Sequence, residues 1–292
     1  MTLKHLFREG EKSLLEVFEP EEAKSSAWFL LAGCFAIDSK DYLLLADQEA
    51  DPEKAAAYQA MIRRRIEHEP TAYILGEWEF MGLPFYVGPS VLIPRPDTET
   101  LVEEVLRYVK NHFQKKSKIR ILDICTGSGC IIISLGHYLS EDYELDLYAG
   151  DLSPEALETA GRNADRNHVD VRFVLSDLLQ EFESDRFDII VCNPPYVASK
   201  TVEGLEPDVK DYEPHLALDG GRAGLDIYQR LIPELKEYLT DEGRVFFEIG
   251  DEQAKDVRKL MAESSVFDSI KVVKDLSGHN RVISGKRKQQ NV

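Results

Sequence analysis

The sequence lacks what would tie it to a membrane or an export route. No run of 18 or more apolar residues occurs in its 292 residues, so no stretch is built to span a bilayer as a helix. The first residues carry no signal-peptide pattern. Together these absences lead to the expectation of a soluble, cytoplasmic protein with no membrane partner. Cysteine is scarce. Cys34, Cys125, Cys130 and Cys192 are spread out, and none stands at zinc-ligand spacing with a second pair or a histidine cluster. The expectation is free thiols in a reducing compartment and no bound metal. Positive charge is short too. Lys and Arg number 35 against 53 Asp and Glu, a net charge of −18, and nucleic-acid affinity rests largely on Lys and Arg neutralising phosphates. That balance weighs against nucleic acid as a direct substrate. No internal repeat is present, which removes repeat architectures. What remains is 43% hydrophobic, enough for real cores, in a chain long enough for more than one domain.

The stretch around which the rest is organised is Asn193-Pro194-Pro195-Tyr196. It follows Phe187-Asp188-Ile189-Ile190-Val191-Cys192, an apolar run rich in Ile and Val that reads as a short buried strand. A strand entering Asn-Pro-Pro must stop: neither Pro can donate a ladder hydrogen bond, and the first holds Asn193 out of the helical region. The Asn193 side chain and the Asn193 and Pro194 carbonyls then sit in a stiff loop at a strand's C-terminal end, where ligands bind in open parallel sheets. Fixed acceptors beside an aromatic ring suit a planar NH2 group. The acceptors take its hydrogens and the ring packs on its face. Standing alone, the tetrapeptide could equally be a Pro-rich turn.

Three earlier strand ends add to it. Ile119 to Ile124 is a strand, followed by the loop Cys125-Thr126-Gly127-Ser128-Gly129 and a helix starting at Cys130. The glycines allow a tight turn and let backbone N–H groups approach a ligand. The third Gly of the dinucleotide fingerprint is missing, with Ile132 in its place, which favours a nucleoside-type cofactor without pyrophosphate. The strand Leu145 to Gly150 ends in Asp151, placed to accept from a ribose diol. Ser153, with Pro154 next at the first helical position, serves better as the following N-cap and leaves Asp151 free. The strand Val171 to Leu175 ends in Ser176-Asp177-Leu178. There Asp177 could accept from an adenine amino group and Leu178 could pack on its ring.

Along the chain, residues 1–74 read as a small bundle of short helices, the kind of unit that holds a partner or the substrate. Arg63-Arg64-Arg65, flanked by Glu67 and Glu69, reads as a solvated helix face. Residues 75–95 read as a β-hairpin linker with a Met81-Gly82 turn, then the stiff segment Ile93-Pro94-Arg95-Pro96. Arg95 on that segment is a candidate lid. Asp97 or Thr98 then caps a helix from Glu99 to about Val109. Strands and helices alternate over 96–286, the mark of a doubly wound sheet. Lys286-Arg287-Lys288 begins a basic, disordered tail, 287–292.

The order of strand-end elements resembles a class I S-adenosylmethionine-dependent methyltransferase, an α/β, Rossmann-like, mostly parallel doubly wound fold. Within that class the chain resembles the protein-(glutamine N5) methyltransferases of peptide chain release factors, the HemK/PrmC family. Pro70-Thr71-Ala72-Tyr73-Ile74-Leu75-Gly76, Val91 to Glu99, the cofactor loop, Tyr212-Glu213-Pro214 and Glu248-Ile249-Gly250 all carry the likeness, which with the helical domain covers nearly the whole chain. The resemblance implies S-adenosyl-L-methionine as cofactor and class 1 release factors as partners. It implies the Gln of their Gly-Gly-Gln motif as the methylated residue, in translation termination. Asn193, Pro194, Pro195 and Tyr196 would hold the amide. Residues 125–129, Asp151, Asp177, Leu178 and Asn193 would hold the cofactor. Cys125 stands where many members carry Gly, ahead of the tight turn, and is expected to be tolerated. Two other readings share parts of the pattern: an adenine methyltransferase acting on a flipped base, and a scaffold that binds the cofactor without catalysis.

Overall fold

The computed structural model describes residues 1–182 and 186–289. The chain divides into two compact units. One comprises Met1–Glu77 with Glu206–Tyr212, and the other Trp78–Leu205 with the chain from Glu213 on.

The first unit is helical: Leu3–Leu14, Pro20–Phe35, Ser39–Leu45, Pro52–Ile66 and Thr71–Leu75. Its starts are written in capping chemistry. Thr2 and Asp51 accept from backbone N–H groups of the turns they open, and Pro20 and Pro52 stand at first helical positions. Asp38 closes a capping box with Asp41 and opens the third helix. The core is aliphatic around Leu6, Leu14, Leu30 and Leu31, with Tyr58 buried among them and donating its hydroxyl to the Ala27 carbonyl. The Arg63–Arg65 run is a solvated face only in part: Arg63 and Arg64 are exposed, Arg65 is not. Arg65 is 2% exposed: its guanidinium lies 3.9 Å from the Phe18 ring centre and pairs with Glu22 (2.5 Å) and Asp208 (3.4 Å). Arg64 is tied to Glu69. A guanidinium that stacks on a ring while its edge meets carboxylates can be buried where a lysine could not. Helical spacing does not reveal this, because Asp208 lies 143 residues away in sequence.

The second unit opens at Trp78, within the hairpin of β1 (Glu77–Phe80) and β2 (Leu83–Tyr86). Met81 and Gly82 between them both have left-handed φ, 52° and 70°, as two-residue hairpins of matching twist require. A seven-stranded sheet follows, made of β3 (Lys118–Ile124), β4 (Glu144–Asp151), β5 (Arg172–Leu175), β6 (Phe187–Cys192), β7 (Leu239–Glu248), β8 (Phe267–Lys274) and β9 (Asn280–Arg287). Its order is β5-β4-β3-β6-β7-β9-β8. The first five strands are parallel, and β9 runs antiparallel between β7 and β8. Chain order reverses between β3 and β6, so their C-terminal ends, Ile124 beside Cys192, form the switch point. Period-2 alternation supplies both faces. Ile119, Ile121, Ile189 and Val191 pack on one side under the helices Pro96–His112 and Cys130–Leu139. Leu122, Ile124, Ile190 and Cys192 pack on the other, under Asp226–Tyr238 and Ala254–Glu263.

Two boundaries differ from expectation. The helix expected from Glu99 starts at Pro96, with Arg95 as its N-cap. Pro is preorganised for a first helical position and needs no N–H there. Lys286 and Arg287 close β9, paired with Glu242 and Asp241, so they are sheet and not tail. Residues 290–292 lie outside the described residues.

Candidate functional site

Above the switch point lies a cavity of about 630 Å³, within the size range of cofactor sites. After β3 the chain turns through Cys125 (φ 59°), Gly127 (φ 55°) and Gly129 (φ 78°) before the helix at Cys130. Gly129 leaves little room for a side chain: beside its left-handed φ, a Cβ there would stand 2.8 Å from Ile133 Cδ1 and 3.2 Å from Ala160 Cβ. Beneath the turn, buried Asp123 accepts from the Thr126 hydroxyl at 2.7 Å. Asn163 clamps the loop from the side, donating to the Ser128 carbonyl (2.9 Å) and the Tyr86 carbonyl (3.0 Å) while accepting from the Tyr86 N–H (2.6 Å). Nothing in the sequence pattern singles out Asn163.

Cys125 stands just ahead of the hydrogen-bonded turn Thr126–Gly129, as expected, but is itself left-handed at φ 59°. A side chain in the left-handed region costs an L-residue energy that glycine does not incur. Cys125→Val, β-branched at this φ, is expected to destabilise the fold by about 2 kcal/mol. Cys125→Gly should stay within about 0.5 kcal/mol of the parent, because relief of strain is offset by a more flexible unfolded chain. Urea unfolding of the two variants checks this; equal effects would remove strain as the explanation.

Asp151 closes β4 at the cavity wall. It is not free as expected. Oδ2 accepts from Gly127 N–H at 2.8 Å and Oδ1 from Ser153 N–H at 3.0 Å, while the Ser153 hydroxyl caps the next helix. Each carboxylate oxygen has a second lone pair to offer a ligand. Burial raises the Asp151 pKa, and the backbone donors of Ser153, Gly127 and Leu152 oppose that rise. Asp177 also lines the cavity but is paired with Arg230 at 2.7 Å. Leu178, φ 56°, is buried beside it.

Burial pushes Asp123 up to about 7 against the opposing Thr126 hydroxyl, with Asp151 adding to the rise, and Oδ1 has no hydrogen-bond partner. A carboxyl whose pKa is higher folded than unfolded contributes stability in full at acid pH, below its ordinary range, and loses it as pH rises through about 7. Asp123→Asn, neutral at every pH, is therefore expected to gain in melting temperature on the parent between about pH 5 and about pH 8. A pH-independent difference would contradict the assignment.

Asn193 and Pro195 line the cavity; Pro194 and Tyr196 do not. Asn193 Nδ2 donates to Thr98 Oγ1 at 3.4 Å. Tyr196 turns inward and donates its hydroxyl to Glu248 Oε1 at 3.1 Å, so in this geometry its ring does not face the space beside Asn193 as expected. Burial, and then the nearby Glu248, push its pKa up. The loop backbone is pinned from behind. Gln253 Nε2 donates to the Tyr196 and Gly224 carbonyls, each at 2.9 Å. Gly220 lies so close that a Cβ would fall 2.6 Å from the Pro195 carbonyl oxygen. Arg95 reaches the cavity wall and is held by buried Glu213, which also accepts from Ile93 N–H at 3.2 Å. A cavity thus joins Arg95, residues 125–128, Asp151, Asp177, Leu178, Asn193 and Pro195. Thr98, which the sequence offers only as a helix cap, lies inside the helix and holds Asn193 instead, and Glu248, which the sequence offers only within a motif, holds Tyr196.

Residues 5–76 match the PrmC N-terminal domain, and residues 104–206 match the Methyltransferase small domain. A release factor glutamine methyltransferase of Koribacter versatilis is 40% identical over 288 residues, 98% of this chain and 99% of that one. One of Geobacter sulfurreducens is 38% identical over 266 residues, 91% of this chain and 90% of that one. Among solved structures, a methyltransferase from Pyrococcus furiosus superposes with a TM-score of 0.50 at 19% identity, covering 80% of this chain and 98% of that one. That likeness speaks for the fold alone.

Proposed function

The chain belongs to the release factor glutamine methyltransferases, and from that premise we propose that it methylates the side-chain amide nitrogen, N5, of the glutamine in the Gly-Gly-Gln motif of peptide chain release factors. It is an S-adenosyl-L-methionine-dependent enzyme. The cavity suits that cofactor: Asp151 offers two acceptor oxygens to a ribose diol, Gly127 and its neighbours bring backbone close, and Leu178 supplies an apolar wall beside Asp177. When bound, S-adenosylmethionine supplies a methyl carbon on a sulfonium, a centre that already leaves well.

The difficulty lies with the nucleophile. An amide nitrogen has its lone pair delocalised into the carbonyl, so the site must orient it and build electron density on it. Asn193 Oδ1 would accept one amide hydrogen, and the Pro194 carbonyl the other once the loop shifts to bring it to the cavity, which Pro194 does not line in this geometry. That fixes the amide plane and turns the nitrogen in line towards the methyl carbon, so the site acts by positioning and electrostatic complementarity. The observation that carries this reading is that Asn193 lines the cavity while its Nδ2 is given to Thr98, which leaves Oδ1 as the acceptor the side chain can offer. Tyr196, bound to Glu248, serves the loop's shape; packing on the amide would need its ring to swing out. Arg95, held by Glu213 at the rim, would steady the cavity wall or cover its open end. The helical unit, residues 1–74, would hold the release factor.

The test is mass spectrometry of a purified release factor incubated with the protein and S-adenosylmethionine. One added methyl group on the Gly-Gly-Gln glutamine is the expected result. Transfer to adenine in DNA or RNA with none to the release factor would overturn the proposal.

A further inference from the structure

Glu248 ends β7 next to the end of β6, where Cys192 is level with Phe247, so its side chain lies beneath the Asn-Pro-Pro-Tyr loop. It is 1% exposed. Its backbone carbonyl accepts from the Tyr228 hydroxyl at 2.6 Å, and Oε1 accepts from Tyr196 at 3.1 Å. Oε2 is buried with no hydrogen-bond partner. A buried acceptor left over in this way calls for a donor. Thr98 is buried as well, and its hydroxyl is near enough to favour the carboxylate's charged form.

Thr98 has one hydrogen and two lone pairs. One lone pair takes the Asn193 Nδ2 hydrogen, which leaves the hydroxyl hydrogen for Glu248. An ionised carboxylate can only accept, so it sets the direction of every bond above it. Thr98 must donate downward and accept from above, and Asn193 must therefore show its NH2 to Thr98 and its oxygen to the cavity. We infer that Glu248 is a positioning residue that, through Thr98, fixes which way the Asn193 amide faces and so keeps an acceptor turned towards the substrate. This rests on the reading that Asn193 Oδ1 accepts from the substrate amide.

Protonation would undo the arrangement. A neutral carboxyl can donate to Thr98, Thr98 can then donate to Asn193, and the amide turns its NH2 to the cavity. Burial pushes Glu248 up to about 7; the Thr98 and Tyr196 hydroxyls and Arg281 pull against this, while Asp97 adds to it. Arg281 on β9 is itself shared with Asp97 (2.9 Å) and Asp275 (3.1 Å). Tyr228 and Cys130 are the other titratable groups that sense Glu248, and burial raises both.

The experiment is steady-state methyl transfer to a purified release factor across pH, with parallel calorimetric titration of S-adenosylmethionine. In Glu248→Gln, kcat should fall about tenfold, the lower end for partners that orient a contacting group. KM for the release factor and cofactor affinity should stay within about twofold. The parent's kcat should rise with pH through about 7, and part of that rise should vanish in Glu248→Gln. Asp123 titrates in the same range but is common to both proteins, so the difference reports Glu248. Thr98→Val should show the same loss and Thr98→Ser should restore the rate, a comparison that stands even if Glu248→Gln folds poorly. The inference is overturned if Thr98→Val keeps its kcat within about twofold, or if Glu248→Gln keeps the full acid limb. It is also overturned if kcat falls only together with cofactor affinity. If Asn193→Ala itself turns over at the parent rate, the underlying reading fails too; if Asn193→Ala is inactive while the other variants are active, only this inference fails.

Discussion

Asn193→Ala is expected to lower kcat by about 1,000-fold, the upper end of what a single preorganised polar contact to a reacting group contributes, with S-adenosylmethionine affinity within a fewfold of the parent. Two features of the site lead there. The Asn193 oxygen is the acceptor that fixes the amide plane, and without it the amide can rotate about its last side-chain bond while still held by the Pro194 carbonyl. A rotated amide points its nitrogen away from the line of attack, and misplacement on the scale of an ångström is costly. The cofactor's supports, by contrast, are the loop 125–129 and Asp151, whose hydrogen bonds to Gly127 and Ser153 do not involve Asn193. Stability should hardly change. Asn193 gives up one 3.4 Å hydrogen bond to Thr98, worth about 1 kcal/mol or less, and the two prolines still shape the loop. Asn193→Asp is the informative companion, since it keeps an acceptor but loses the donor to Thr98. It should fall between the parent and Asn193→Ala. The measurement is methyl incorporation into the release factor alongside calorimetric cofactor titration. A variant that loses cofactor binding in proportion to rate would make Asn193 a cofactor ligand first and would sink its role in orienting the amide.

The parts of this molecule that sequence made legible are those written in local chemistry. Strand ends announced themselves through Gly, Asp and Pro following apolar runs, and the alternation of Ile119, Ile121, Leu122 and Ile124 between two cores follows from the two-residue repeat of a strand. The Met81-Gly82 turn and the capped helices of the first unit are local in the same sense. What sequence hid depends on distant partners. Arg65 looked like one of three solvated arginines because Phe18, Glu22 and Asp208 come together only in the fold. Asn163 looked like one more polar residue in a helix, yet it ties the Ser128 and Tyr86 backbones together. Tyr196 suggested a ring lying on the substrate, and only the buried carboxylate at Glu248 explains why it turns inward. Asp151 shows the middle case. Its position at the strand end was readable, but its double service to Gly127 and Ser153 required the loop's three-dimensional course.

That double service makes Asp151→Ala the other large expected effect: a loss of about 100-fold in S-adenosylmethionine affinity, corresponding to roughly two charge-assisted hydrogen bonds. The carboxylate stands at the cavity wall with one lone pair on each oxygen already committed to backbone N–H groups. Those commitments fix both oxygens in place before a ribose arrives, so the diol meets acceptors that need no reordering. Removing the side chain therefore acts twice. It deletes the acceptors, and it releases the Gly127 N–H in a loop that relies on left-handed residues at 125, 127 and 129. Asp151→Asn separates the two effects. Its single oxygen can serve either Gly127 or Ser153 but not both, and its NH2 faces a donor it cannot match, so loop order suffers while one acceptor for the ribose survives. Affinity in Asp151→Asn should fall less than in Asp151→Ala. Thermal stability should change little in either, since burial already disfavours the charged carboxylate and offsets much of what its hydrogen bonds contribute. At saturating cofactor, kcat should recover to within a fewfold in both variants, because the amide's supports at Asn193 and Pro194 are untouched. Calorimetric titration with S-adenosylmethionine, then single-turnover transfer at saturation, reads the two quantities independently. If kcat stays depressed when the cofactor is saturating, Asp151 acts on the reacting geometry through the loop as well as on binding.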